Sequence, residues 1–123
     1  MKKIHVVIDP HQLDNVRDAV IQVGVEGMTV SEVRTLGATK DRMGCYRGAS
    51  FALDFAHKVG LEMVVTDGEL ERVIEAIRRA ARLHAGDAVL SVSVVEDVLR
   101  IRTGEHGEMA IHPRDPVSTS RAA

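Results

Sequence analysis

The feature that most constrains this fold is a strand–helix–strand pattern that occurs twice along the chain of 123 residues. In the first unit, apolar and polar residues alternate over 4–8, which is typical of a half-buried strand. Asp9 and Pro10 then favour the start of a helix, because aspartate caps helices and proline fits their first turn. Apolar residues at helical spacing continue over 13–23, and the β-branched segment 28–33 predicts the next strand.

The second unit repeats this order in the later part of the chain. Alternation over 58–66 predicts a strand. Asp67 is placed to cap a second helix, which has Glu69 in its first turn and an apolar stripe from Leu70 to Ala81. Two further strands are predicted, a longer one over 87–95 and a short final one over 99–102. Together the two units predict an α+β fold of the ferredoxin-like βαββαβ type, with one antiparallel sheet.

A sheet with both helices on one face leaves its other face uncovered. The residues predicted for that face include Val7 and Val64 as well as polar side chains. A small sheet of this kind usually buries such a face by oligomerisation, because an exposed apolar patch is unfavourable. The pattern therefore predicts an oligomer.

Composition narrows the function classes. Aromatic residues make up 2% of the chain and the formal net charge is -2, so we expect neither the stacking surfaces nor the basic field of a nucleic-acid-binding protein. The single cysteine, Cys45, excludes an internal disulfide. No apolar run approaches the roughly 18 residues of a membrane span, so we expect no membrane insertion. The first strand pattern begins at Lys2 and leaves no room for a signal peptide, which predicts a cytoplasmic protein.

A long insertion separates the second and third predicted strands, over about residues 37–55. Hairpin connections usually have roughly two to five residues, and long loops without secondary structure are commonly functional. The insertion is either an ordinary surface loop or an arm that docks into a partner. Its candidate effector side chains are Lys40, Arg42, Cys45, Tyr46 and Arg47.

Two arginines on the last predicted strand are candidates for binding phosphate. Arg100 and Arg102 are two residues apart, so on a strand both side chains would lie on one face. Two neighbouring guanidinium groups offer paired donors to a phosphate. The alternative is an exposed strand edge, which often carries charge. Lys58 and Glu62 also share a face of their predicted strand, where a simple ion pair is the plainer interpretation.

The remaining chemical motifs are weak. Gly86-Asp87, after the second predicted helix, is either a turn or a loop whose N–H groups bind an anion. The sequence contains no phosphate-loop pattern and no dinucleotide fingerprint. Its six histidines form no His-x-x-x-His pair, so we expect no metal site. We assign no catalytic residue, because no set of nucleophile, base and carboxylate is evident.

Several segments taken together resemble one known family. They are the opening MKKI, GMTVSEVRTLG at 27–37, YRGAS at 46–50, LEMVVTD at 61–67 and LRIRTGE at 99–105, with the pairs Asp54-Phe55 and Lys58-Val59 between them. These motifs resemble the PII signal-transduction proteins, also called nitrogen regulatory proteins P-II, and the likeness spans about residues 1–111. We therefore expect a divergent PII-like domain over 1–111, followed by a flexible C-terminal tail over 112–123.

The resemblance implies a homotrimer that binds adenine nucleotides (ADP, AMP or ATP) in clefts between its subunits. The nucleotide is an effector in this family, not a prosthetic group. The resemblance also implies a T-loop, here about residues 37–55, that controls a transporter, channel or enzyme. Positions matching the family's nucleotide site are Thr29, Glu62 and Val64 for the adenine, Gly37 and Lys58 at the base of the T-loop, Gly86 and Asp87 at the start of the B-loop, and Arg100 and Arg102 for the phosphates.

Some family positions carry other residues here. Thr39 replaces a glutamine that helps to hold Mg-ATP and 2-oxoglutarate. The B-loop is one residue shorter, and Ala88 and Val89 stand at its second glycine and its phosphate-binding lysine. Phe51 occupies the position of the uridylylated tyrosine, and Ala49 that of a phosphorylated serine. The resemblance therefore implies that 2-oxoglutarate sensing and covalent control are eroded, and that ADP or AMP binds at least as tightly as ATP.

The leading interpretation is a regulator that is not an enzyme. One alternative is a PII-like regulator of bicarbonate uptake, carboxysome or metal-efflux systems, in which a small anion such as bicarbonate binds beside the nucleotide. Another is a trimeric enzyme that slowly hydrolyses nucleotides, with Glu62 or Asp87 as the available carboxylates. Fold alone does not separate these classes.

Overall fold

The computed structural model describes residues 1–36, 55–82 and 88–112. The described residues form one four-stranded sheet, helices, and a short 3-10 turn. In chain order these elements are β1 (Lys2–Ile8), the 3-10 turn (Pro10–Gln12), α1 (Leu13–Gln22), β2 (Thr29–Leu36), β3 (Phe55–Val65), α2 (Leu70–Ala81), β4 (Leu90–Val94) and α3 (Glu108–Ile111).

The sheet has the strand order β2-β3-β1-β4, and all three pairings are antiparallel. Strands β1 and β2 therefore run in the same direction with β3 between them, as in a split βαβ unit. Residue His5 of β1 lies opposite Glu62 of β3 and opposite Ser91 of β4. The ferredoxin-like α+β fold predicted from the sequence is confirmed.

The core lies between the sheet and the two long helices, and it is aliphatic. Residues Ile4, Val6 and Ile8 of β1 are buried, together with residues of β3 such as Leu61. Burying each such side chain contributes about 1.5–3 kcal/mol. The helix residues of this cluster are Val16 and Val20 of α1 and Val73, Ile77 and Ala81 of α2. Both helices thus cover the same face of the sheet, and the predicted apolar stripes are confirmed.

The opposite face carries the alternate residues of the strands. Lys3, His5 and Val7 of β1 and Val64 of β3 are half-buried. Gly60 of β3 is buried, because neighbouring side chains close over it. A Cβ at Gly60 would lie 3.2 Å from the Ser31 hydroxyl and 3.8 Å from the His5 ring. Apolar and polar side chains are mixed on this face, as expected from the alternation.

The helix start after β3 differs from the prediction. Thr66, not Asp67, makes the side-chain hydrogen bonds of the turn that leads into α2: its hydroxyl accepts a hydrogen bond from the Glu69 amide at 3.2 Å, and the Glu69 carboxylate accepts one from the Thr66 amide at 2.9 Å. This reciprocal pair is a capping box. Asp67 is exposed and instead accepts from Lys2 at 3.0 Å, which together with the nearby N-terminus holds the pKa of Asp67 below its usual value.

The predicted final strand over 99–102 is wrong. The chain turns back on itself, so that the Arg100 amide donates to the Glu105 carbonyl and the Gly107 amide donates to the Val98 carbonyl, both at 2.9 Å. Leu99 and His106 form an isolated bridge within this turn, and α3 follows directly. Gly104 has a φ of 78°, which favours glycine and allows the reversal.

Other boundaries also shift. β4 is shorter than predicted, and β2 and β3 extend further, with Phe55 paired to Leu36. Phe55 therefore belongs to β3, and the T-loop predicted over 37–55 ends before it.

The loop itself, including Gly37 and Thr39, lies outside the described residues, as do Gly86 and Asp87. The five predicted effector side chains, Lys40, Arg42, Cys45, Tyr46 and Arg47, also lie there. Among the described residues, none of the helices has the length and apolar character needed to span a membrane.

Candidate functional site

A cleft of about 520 Å³ opens where β2 and β3 meet the C-terminal segment of the chain. Thr29 and Glu62 lie opposite each other on these two strands, and Val64 follows on the same face of β3. Arg100 and Ala110 come from the C-terminal segment and line another side. The structure thus brings together four residues that the sequence predicted for nucleotide binding: Thr29, Glu62, Val64 and Arg100.

The cleft combines apolar and charged groups. Met28, Val64 and Val98 contribute apolar surface, while Lys3 and Glu62 contribute charge of both signs. The Lys3 Nζ and a Glu62 carboxylate oxygen are 3.7 Å apart, so these side chains form a loose, half-exposed ion pair. Ligand sites are typically apolar concavities with a few polar groups that fix orientation. This lining suits a ligand that has both an apolar part and a polar or charged part.

Arg100 supplies the cation best placed for an anionic group. Its backbone is fixed in the turn, and its Nη2 donates to the Ala110 carbonyl at 2.6 Å. Its Nε is buried, and the described residues provide no acceptor for it. A buried donor without a partner is unfavourable and calls for an explanation such as a ligand or water. The arginine therefore keeps a donor that the described part of its own chain does not satisfy.

Arg102 lies apart from Arg100. Because the predicted strand is absent, the two side chains do not share a strand face; Arg102 is exposed in the turn and does not line the cleft. The predicted side-by-side arrangement of the two guanidinium groups on one strand is therefore wrong. In one chain, only Arg100 reaches the cleft formed by Thr29 and Glu62.

Lys58 also lies in a different place. It lines a second cavity, of about 420 Å³, with residues such as Pro10 and Arg34. Its Nζ pairs with Asp9 at 2.5 Å, whereas Glu62 pairs with Lys3, so the ion pair considered between Lys58 and Glu62 does not form. Lys58 is four residues from Glu62 along β3, which corresponds to roughly 13 Å. One chain therefore presents two separate parts of the predicted site.

Sequence reasoning missed a side-chain cluster beside the cleft. His112, assigned by sequence to the tail, lies between two carboxylates: its Nε2 is 2.6 Å from Glu69 and its Nδ1 is 3.3 Å from Glu26. We call these three residues the His112 clamp. Glu69 is 43 residues from His112 along the chain, so no local pattern indicates the contact. Residues 113–123 lie outside the described residues, and for them the flexible tail remains a prediction.

The carboxylates of the His112 clamp shift its titration. Burial of the ring disfavours its charge, but the hydrogen bonds and charges of Glu69 and Glu26 outweigh this effect, so the pKa of His112 is raised. Burial would likewise raise the pKa of Glu69, but hydrogen bonds from the Thr66 amide and from His112 outweigh it, so that pKa is lowered. Both groups are therefore held in their charged forms.

The described residues contain no group of three or more His, Cys, Asp or Glu side chains suited to a metal ion.

The structure is a small α+β domain of the ferredoxin-like class, with a cleft between its sheet and a C-terminal segment packed beside it. The family model for "Nitrogen regulatory protein P-II" matches residues 1–105. The chain is 46% identical over 112 residues to a "Nitrogen regulatory protein P-II" of Bradyrhizobium diazoefficiens. It is 48% identical over 112 residues to proteins of that name from Rhizobium meliloti and Pasteurella multocida. Each match covers 90% of this chain and 100% of the relative.

The chain belongs to the PII family of nitrogen regulatory signal-transduction proteins. The relatives carry the name of regulatory proteins, in agreement with the leading interpretation of the sequence.

Proposed function

We propose that this protein is a nucleotide-responsive regulator without enzymatic activity. An adenine nucleotide (ADP, AMP or ATP) binds at the cleft of Thr29, Glu62, Val64 and Arg100. The bound nucleotide then changes how the T-loop engages a partner, which is a transporter, channel or enzyme. The observation that supports this most directly is the cleft itself, in which the three predicted adenine residues lie beside Arg100, one of the predicted phosphate residues. The Arg100 Nε is also a buried donor without an acceptor among the described residues.

The separation of Lys58 from this cleft supports a homotrimer. In one chain, Lys58 and Arg100 line different cavities. A nucleotide bound between two subunits contacts the Arg100 end of one and the Lys58 end of the next. Gly37, Gly86 and Asp87 complete the phosphate end in this proposal, and Arg102 approaches it from the exposed turn. Three copies of the 13.4 kDa chain form a particle of about 40 kDa.

The residues of the chain favour a nucleotide with few phosphates. Val89 stands where the family has a phosphate-binding lysine, and its side chain is 71% exposed and offers no charge. Thr39 is too short to replace the family's glutamine. A γ-phosphate would bring negative charge with fewer partners, and its partial desolvation would be unfavourable. We therefore propose that ADP or AMP binds at least as tightly as ATP, and that 2-oxoglutarate does not tighten ATP binding.

Calorimetry tests the proposal. ADP, AMP and ATP are titrated into the protein with Mg²⁺, each with and without 2-oxoglutarate, and light scattering gives the mass. We expect a trimer that prefers ADP or AMP. Bicarbonate is titrated into the ADP complex as a further arm, and any release of phosphate from ATP is followed. A stable monomer, a strong ATP preference deepened by 2-oxoglutarate, or steady phosphate release contradicts the proposal, and the last result favours the hydrolase alternative.

A further inference from the structure

We propose that His112 is a positioning residue for the cleft: as an imidazolium between Glu69 and Glu26, it fixes α3 as a wall of the cleft and makes ligand affinity depend on pH. The ligand part of this inference rests on the proposed function. His112 lies beyond residues 1–105, which are the part of the chain that the family model matches.

The geometry of the ring determines its charge. Both ring nitrogens face carboxylate oxygens, Nε2 toward Glu69 at 2.6 Å and Nδ1 toward Glu26 at 3.3 Å. An ionised carboxylate only accepts hydrogen bonds, and a neutral imidazole has a single N–H to donate. Only the imidazolium, with an N–H on each nitrogen, satisfies both contacts. Loss of one proton leaves a nitrogen lone pair facing a carboxylate oxygen.

The surroundings hold the carboxylates in place. Glu69 is 12% exposed and accepts from the Thr66 amide at 2.9 Å. The Arg72 guanidinium lies 4.0 Å from the same Glu69 carboxylate oxygen and is the nearby cation. Glu26 is more exposed, at 53%, and Glu108 is a further acidic residue on α3 itself. Acidic groups thus predominate around His112, which agrees with the raised pKa of its ring.

The His112 clamp is connected to the cleft through three residues. Glu26 lines the cleft on one side, and Ala110 and Ile111 of α3 line it on another. The Ala110 carbonyl also accepts from Arg100 at 2.6 Å, so the position of α3 helps to orient the guanidinium. α3 has only four residues, which is far too short to be stable without tertiary anchors. His112 follows α3 directly and supplies such an anchor.

The direction of the pH effect follows from the raised pKa. A free histidine has a pKa of 6.5, and that of His112 is higher in the folded protein. The His112 clamp is therefore fully formed below about pH 6.5 and is lost as the pH rises through the folded-state pKa. At higher pH, α3 moves away from the cleft more often, and the bound state incurs the cost of ordering it. Affinity for a nucleotide then falls as the pH rises.

Three variants separate charge from structure. His112→Gln removes the titration and the charge, while His112→Lys keeps a positive charge that does not titrate in this range. His106→Gln is the matched control, because His106 is also a histidine paired with a carboxylate, that of Asp97 at 2.9 Å, but it does not line the cleft. ADP affinity is measured by calorimetry from about pH 6 to about pH 8.5 for all four proteins. The nucleotide itself titrates identically in all four experiments, so its contribution cancels when the affinity of each variant is compared with that of wild type at the same pH.

Between the lowest and the highest pH, we expect the ADP affinity of wild type to fall by a factor about three times as large as that of His112→Gln. His106→Gln should behave as wild type. His112→Lys should bind as wild type does at low pH and stay constant. Equal pH profiles for wild type and His112→Gln overturn the inference.

A measurement without nucleotide keeps this inference separate from the proposed function. Nitrogen NMR of the free protein should show the His112 ring with two protons and a pKa above 6.5. Exchange of the His112 amide, which donates to Glu108, should be faster in His112→Gln than in wild type at the same pH. If ADP binds neither protein, the proposed function and the coupling both fail. A neutral His112 ring at pH 6.5, or unchanged exchange, overturns the clamp itself.

Discussion

Glu69 is the residue at which a single substitution best tests the structure. Its carboxylate accepts from the Thr66 amide, pairs with His112 and lies near Arg72. Glu69→Gln keeps the size of the side chain but removes its charge. The hydrogen bonds from Thr66 and His112 change from charge-assisted to neutral, and each charge-assisted bond contributes about 1.5–3 kcal/mol against about 1 kcal/mol for a neutral one. We expect Glu69→Gln to lower the free energy of unfolding by about 2 kcal/mol.

The pH dependence makes this prediction specific. The pKa of Glu69 is lowered in the fold from its ordinary 4.5, so its contribution is present above about pH 4.5 and is lost as the pH falls through the folded-state value. The pKa of His112 is raised from 6.5, so its contribution is present below that pH and is lost as the pH rises through the folded-state value. The difference between wild type and Glu69→Gln should therefore be largest between about pH 4.5 and pH 6.5.

Urea denaturation at a fixed protein concentration measures this difference, because the stability of an oligomer depends on concentration. Glu71→Gln is the matched control: Glu71 is exposed in the first turn of α2 and carries the same charge. We expect Glu71→Gln to change stability by less than about 0.5 kcal/mol. A Glu69→Gln effect equal to that of Glu71→Gln, or one that stays constant from about pH 4 to about pH 9, would refute the reasoning.

Three further predictions concern the cleft, the loop and the core. Arg100→Ala should weaken ADP binding at least about tenfold, and it should also lower the free energy of unfolding by about 1 kcal/mol because the contact with Ala110 is lost. Arg102→Ala should weaken ADP binding without a measurable change in stability. Equal ADP titration curves for Arg100→Ala and wild type would contradict the cleft assignment. Replacing residues 39–52 by a short glycine linker should leave the mass of the assembly unchanged in light scattering, because the entropic cost of loop closure depends only weakly on loop length. The same change should abolish capture of the partner, and continued capture would exclude the T-loop as effector. Ile77→Ala should lower the free energy of unfolding by about 2–5 kcal/mol in urea, and a loss below about 1 kcal/mol would contradict its placement in the core.

The elements that the sequence predicted well have a strong local period. Alternation in β1 and β3, and the helical spacing of Val73 and Ile77 in α2, directly reflect which side chains face the core. The sequence does not distinguish Thr66 from Asp67 as the residue whose side chain bonds the start of α2, because both are good capping residues. Their roles differ only through Lys2 and the N-terminus, which bind Asp67 from a distant part of the chain.

The C-terminal segment could not be predicted in the same way. Leu99 and Ile101 alternate with two arginines, which is also the pattern of a strand. The actual turn depends on backbone conformation, with positive φ at Gly104 and Gly107, and on hydrogen bonds that close within the segment. Of the site residues taken from the family resemblance, Thr29, Glu62, Val64 and Arg100 lie together in the cleft, whereas Lys58 and Arg102 do not. The partners of His112 are distant in sequence and could not be predicted from spacing.

The position of Arg100 determines how the C-terminal segment and a ligand share the cleft. A guanidinium has five N–H donors. The structure uses Nη2 for the Ala110 carbonyl and leaves Nε buried without an acceptor among the described residues. A phosphate that binds the guanidinium without breaking the bond from Nη2 to the Ala110 carbonyl leaves α3 in place, so the segment and the ligand are compatible. With α3 already held by Arg100 and His112, binding does not have to include the cost of ordering this wall. A variant that releases α3 should thus weaken ligand binding even though Arg100 itself is intact.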